Sequence, residues 1–120
     1  MDATGKGALT REQMLSALDV QIEPLFVPEW GGTVYVRSLD GKGRDRFEGS
    51  RVRVDGHGKI ELLHDNTRAR LLALTVCDAD GALLFTEEDI ELLGKKNAAA
   101  LDRIFDVAQR LSALRPADVE

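Results

Sequence analysis

Hydrophobic and polar positions change period several times along the chain, and each change marks an element. Thr10, with Gln13 three residues on, is a capping box that opens a short helix; Met14, Leu15 and Leu18 share its face and it ends near Asp19. From Val20 the period shortens. Ile22, Leu25 and Val27 favour extended chain, and Pro24 and Pro28, which cannot donate to a ladder, place that chain at a sheet edge. Gly31 and Gly32 then turn it. In Thr33 to Arg37, Val34 and Val36 alternate with Thr33, Tyr35 and Arg37, as a half-buried strand requires. The two segments predict an antiparallel hairpin.

Beyond the hairpin the pattern turns helical. Asp40 caps a helix from about Gly41, weakened by Gly43, with Phe47 and Leu39 as its inward anchors. Asp55 to Lys59 is a loop by composition, and Ile60 to Leu63 reads as either a third short strand or a bridge. Asp65 or Asn66 caps the next element, Arg68 to Cys77, which has almost no polar face and is expected as a central helix. Asp78 to Gly81 is a turn and Leu83 to Phe85 a short extended piece. Thr86 and Asp89 form a second capping box, for a helix running through Leu93 and stopped by Gly94. Asn97 caps the last helix, Ala98 to about Leu114, with Leu101, Ile104, Phe105, Ala108 and Leu111 along one stripe. Arg110 and Arg115 complement its dipole, and Pro116 bars continuation.

The expected fold is therefore α+β: a mainly helical single domain with an N-terminal antiparallel β-hairpin packed on three to four helices. It occupies residues 9–115, between a flexible arm at 1–8 and a tail at 116–120. A length of 120 residues, 43% apolar and 31% charged, fits one soluble globular unit. The net charge of −5 supplies no basic stripe for a phosphate backbone, so no nucleic-acid partner is expected. Lys42, Arg44, Arg46, Arg51 and Arg53 do cluster, but Asp45 and Glu48 among them make a solvated mixed-charge surface the simpler reading. No run approaches the roughly 20 apolar residues of a membrane span, and Met1 to Gly7 carries no apolar leader core. Neither membrane insertion nor secretion is expected. The lone Cys77 excludes an internal disulfide and reads as a small buried hydrophobe.

Catalytic and cofactor chemistry finds little support. His57, His64 and Cys77 match no zinc spacing. Asp78-Ala79-Asp80-Gly81 fails as a calcium loop because its glycine comes two positions early and Asp89 stands where a glutamate is needed. No serine lies in a Gly-x-Ser-x-Gly elbow, and the glycines complete neither a dinucleotide fingerprint nor a P-loop. Glu87, Glu88, Asp89 and Glu91 sit where a helix dipole favours negative charge. No enzyme, cofactor or metal is expected. The informative stretch is Pro28 to Arg37, which holds the chain's only tryptophan and only tyrosine around the Gly-Gly corner. Such side chains recur at binding hot spots, so Trp30 and Tyr35 are candidate partner-binding residues. Val107 and Leu114 lie off the main stripe of the last helix and are candidates for a second contact surface, such as an oligomer interface. The stripe itself reads as core.

Four stretches taken in order carry a family resemblance: Pro28-Glu-Trp-Gly-Gly-Thr-Val-Tyr-Val-Arg37, Asn66-Thr-Arg-Ala-Arg-Leu-Leu-Ala-Leu74, Leu84-Phe-Thr-Glu-Glu-Asp-Ile90, and Ala98 to Leu111 with its Ala-Ala-Ala-Leu-Asp-Arg opening. Over about residues 10–115 the chain resembles the tail assembly chaperones of siphovirus-type phages and prophages. The resemblance implies a non-enzymatic protein of the host bacterial cytoplasm, absent from the mature virion. Its implied partner is the tape measure protein, kept soluble while tail-tube protein polymerises around it. It also implies a homo-oligomer, and a longer, frameshifted form of the same chain as a further partner. A small protein-binding adaptor or regulator of phage or bacterial origin is the alternative.

Overall fold

The computed structural model describes residues 7–115. The expected arm at 1–8 and tail at 116–120, with Pro116, lie almost wholly outside them. Ile22–Val27 (β1) and Gly32–Arg37 (β2) pair antiparallel, with Leu25 opposite Val34 and Val27 opposite Gly32. Pro28 opens the connection rather than extending the strand: Pro28–Trp30 is a single 3-10 turn, closed by Gly31 at φ 65°, a left-handed conformation that glycine adopts without strain. A third strand, Val76–Cys77 (β5), adds antiparallel to β2 with Tyr35 opposite Cys77. The order β1-β2-β5 leaves Pro24 on an edge, where its missing N–H costs least.

Strand β5 corrects the expected helix at Arg68 to Cys77. The helix runs only over Thr67–Ala73 (α3) and buries Ala69, Leu71, Leu72 and Ala73. Thr75 ends it by donating its hydroxyl to the Leu71 carbonyl at 2.8 Å, while the Thr75 carbonyl accepts from the Arg37 N–H at 2.8 Å. The β-branched Thr-Val pair is drawn into the sheet, and tertiary pairing overrides an apolar run that reads equally as helix. Asn66 occupies the N-cap position at φ 54° but makes no capping bond. Its amide instead donates to Glu91 Oε1 at 2.9 Å.

The last helix, Ala98–Leu111 (α5), is capped as expected by Asn97, whose side chain accepts from the Ala100 N–H. Ala100, Leu101, Ile104 and Ala108 are buried along its stripe, packed with α3, Val27 and Val36 into one core. It ends at Leu111, three residues early. Ser112 turns its hydroxyl to the Leu39 N–H at 2.9 Å, Ala113 goes left-handed at φ 53°, and the Leu114 N–H returns to the Gln109 carbonyl. This closure folds Leu114 back into the core.

Gly41–Ser50 (α2) buries Phe47 completely and is capped by Asp40, whose carboxylate accepts from the Gly43 N–H at 2.7 Å. Gly43 weakens helix propensity but makes room for that cap: a Cβ there would stand 3.1 Å from Asp40 Oδ1 and 3.2 Å from Leu39 Cδ2. Val52–Val54 (β3) and Ile60–Leu62 (β4) form a separate two-stranded hairpin. Ile60 to Leu62 is thus a strand, and its partner at Val52 is one the sequence reading misses. Asp55 organises the loop between them, accepting from the His57 and Lys59 N–H groups at 2.8 and 2.9 Å.

The second capping box holds, with Asp89 accepting from the Thr86 N–H, but its first turn, Glu87–Asp89, is 3-10 before Ile90–Gly94 (α4). Gly94 is the last helical residue rather than a left-handed cap. Its reason is space, since a Cβ would lie 2.2 Å from Asn66 Oδ1. The first helix, Arg11–Ser16 (α1), keeps its capping box but stops at Ser16, and every residue from Ala8 to Ile22 is exposed.

Two outcomes follow for stability. Gly94→Ala should destabilise by roughly 1–3 kcal/mol through overpacking, and pairing it with Asn66→Gly should recover most of the loss; urea denaturation reads both, and additive effects would show that the contact is not the cause. Gly49→Ala, where an added Cβ meets nothing within 4 Å, should stabilise by about 0.5–1 kcal/mol through backbone entropy and helix propensity. A lower urea midpoint for Gly49→Ala would contradict this account of α2.

Candidate partner-binding site

The corner carrying Trp30 is fixed from behind by α5. Arg103 donates from Nε to both oxygens of Glu29 at 2.9 and 3.1 Å, and Arg110 reaches Glu23 on β1 at 2.7 Å. These two ion pairs align α5 antiparallel to β1. The hydrogen bond from Arg103 holds the Glu29 carboxyl below its ordinary value of 4.5. Because ionisation is favoured in the folded state, the clamp's contribution is complete above that ordinary value and is lost as pH falls from it through the lowered folded-state value.

Held in this way, Trp30 remains 42% exposed. With Phe85, Leu92 and Leu93 it lines an open groove of about 330 Å³, completed by Asp89 and Lys96. Leu92 is 65% exposed while its neighbour Leu93 is buried. A five-residue helix with two adjacent leucines can turn only one to the core, and here the other is left at the surface. Asp89 stands just before α4 and Lys96 just after it, so an apolar floor lies between opposite charges. The groove is mainly apolar, with one charged group of each sign at its ends.

The other candidate residues are not gathered there. Tyr35 is half-buried in the central strand, on the face opposite Val36 by strand alternation and beside Cys77. Phe26, 59% exposed, points to that same side from β1. Val107 is half-buried against the core, and Leu114 is 7% exposed within it. Packing accounts for the position of both.

Sequence reasoning does not single out Phe85, Leu92 or Lys96, nor the apolar face of the β3–β4 hairpin. On that face Val52 pairs with Leu62 and Val54 with Ile60, all exposed, while Arg53 and Glu61 form an ion pair on the other side. The Val-Arg-Val and Ile-Glu-Leu alternations are the signal that could have found it. A second groove of about 500 Å³ places Arg46 and Arg70 near Glu87 and Glu88. The basic cluster is partly neutralised by Arg44–Glu48 and Arg53–Glu61 pairs, and Arg51 lies buried over the Phe47 ring. Cys77 is buried, and loss of hydration pushes its thiol up. Among the described residues no three of His, Cys, Asp and Glu are grouped to hold a metal, and no helix is long and apolar enough to cross a membrane.

The structure of the bacteriophage HK97 tail assembly chaperone is similar in fold, with a TM-score of 0.57 and 21% identity over 83% of this chain and 94% of that one. No curated protein matches the chain in sequence. The family model for phage tail assembly chaperones matches residues 11–120, from the first residue of α1 onward. The chain belongs to the phage tail assembly chaperone family.

Proposed function

We propose that this chain binds the tape measure protein of a siphovirus-type phage or prophage in the host cytoplasm. It keeps that protein soluble while tail-tube subunits polymerise around it, and it takes no part in the finished virion. The role is non-enzymatic, in keeping with a family of assembly proteins. The observation that carries the reading is the Trp30 groove: an apolar floor left open on a member of this family. A tape measure protein is long and helix-rich and, before assembly, displays apolar helical stripes liable to aggregate. A groove of this size accepts two or three side chains from one such stripe, the helix-in-groove mode of recognition.

The further apolar surfaces fit the same work. The β3–β4 face and the Phe26–Tyr35 side of the sheet lie outside the groove, and a protein that shields an extended client gains from several shallow contacts. Tyr35 contributes from the sheet, as a second contact rather than part of the groove.

The test is co-expression with tape measure fragments. Trp30→Ala should reduce recovery of the complex by about 10- to 30-fold, the loss of a hot-spot anchor, and Tyr35→Ala by less, with thermal unfolding of both variants close to wild type. Undiminished recovery with Trp30→Ala, or a fall matched by loss of the folding transition, would remove the groove from the binding surface.

A further inference from the structure

We propose that the groove between α2 and the Glu87–Asp89 turn is a second client site, one that selects an amphipathic helix by the charges flanking its apolar stripe and fixes the direction in which that helix lies. The partner's identity rests on the tape measure reading above; the chemistry it must carry follows from the groove's own walls. Helix α3 touches both α2 and the Glu87–Asp89 turn and forms the floor between them. Its Ala73 and Leu74, with Leu83, Phe85 and Ile90, make that floor apolar. Leu83 is 40% exposed, and Leu74, Phe85 and Ile90 are only partly buried against the core. The space above them is about 500 Å³, larger than the 330 Å³ of the Trp30 groove, and Phe85 lines both, so the two sites adjoin.

The walls carry opposite charge. Lys42, Arg46 and Ser50 recur at i, i+4 and i+8 on one face of α2. That face follows the groove: Arg46 and Ser50 line its main part, while Lys42 and Arg46 line a shallower extension of about 170 Å³ that shares Leu74 and Leu83 with it. Glu87 and Glu88 stand on the other side. Neighbouring charges are already satisfied within the chain, Arg37 by Asp40 at 3.1 Å, Arg44 by Glu48 at 3.4 Å and Arg70 by Asp65 at 3.3 Å. The exposed side chains of Lys42, Arg46, Glu87 and Glu88 have no such partner among the described residues, and no ion pair bridges the groove.

Two cations one helical turn apart, about 6 Å, therefore face two carboxylates across an apolar strip. A helix that lays an apolar stripe on this floor brings the residues flanking the stripe to both walls at once. Acidic residues on one flank meet Lys42 and Arg46, and basic residues on the other meet Glu87 and Glu88. Burial of the floor attracts amphipathic helices alike, so the flanks supply the discrimination. A helix with one sign of charge on both flanks meets a repelling wall whichever way it lies. Reversing a helix exchanges its flanks, so a mixed-flank helix satisfies both walls in only one of its two directions.

Capture of tape measure fragments by co-expression, with thermal unfolding in parallel, tests this. Lys42→Glu/Arg46→Glu should lower recovery of fragments with mixed flanks by about 10-fold or more, because like charges then meet; Glu87→Gln/Glu88→Gln should lower it less. Changing the acidic flank of a captured fragment to lysine should lower recovery by wild type and restore it with Lys42→Glu/Arg46→Glu, a rescue that misfolding cannot produce. Trp30→Ala should leave this charge preference unchanged. Capture that falls with Trp30→Ala but is indifferent to both charge variants would overturn the proposal and leave the tape measure reading standing. Absence of any capture by wild type would overturn that reading instead, and the groove is then tested by fluorescence anisotropy with labelled leucine-striped peptides of about five turns, flanked by glutamate and lysine, by glutamate alone or by lysine alone. Wild type should prefer the mixed peptide and Lys42→Glu/Arg46→Glu the all-lysine one; equal binding of the three would overturn the proposal.

Discussion

Burial of one helical stripe holds the fold and the Trp30 groove together. Ala100, Leu101, Ile104 and Ala108 place α5 simultaneously against α3 and across the inner face of the hairpin. Each large side chain so buried contributes on the order of 1.5–3 kcal/mol, and small residues at 100 and 108 let the partners approach. The stripe fixes where the helix lies; Glu29–Arg103 and Glu23–Arg110 fix its direction against β1. Such exposed pairs add little stability alone. Their effect is positional, because Glu29 is the sequence neighbour of Trp30 and its tie to α5 holds that corner in place.

Much of this was legible in local signals. Thr10 with Gln13, Asp40, Thr86 with Asp89, and Asn97 all cap the turns they were expected to cap, because a cap is a contact within four residues and needs no distant partner. The Trp-Gly-Gly hairpin was equally readable, since its register follows from alternation and one left-handed glycine. What was not legible depended on elements remote in sequence. Thr75 to Cys77 leave the helical pattern because β2 offers them a ladder. Gly94 resembles a C-cap glycine, but its missing Cβ makes room for Asn66, twenty-eight positions earlier. Leu114 looked like outward surface until a left-handed Ala113 turned it inward.

The candidate site divides along the same line. Trp30 was found because its rarity and its corner are properties of a short segment. Phe85, Leu92 and Lys96 were not, because only tertiary structure brings a loop, a five-residue helix and a hairpin corner to one groove. Val107 satisfied the same off-stripe criterion that pointed to a second surface, yet α5 is covered widely enough that it packs against the core. Periodicity identifies a face; it does not identify what lies opposite.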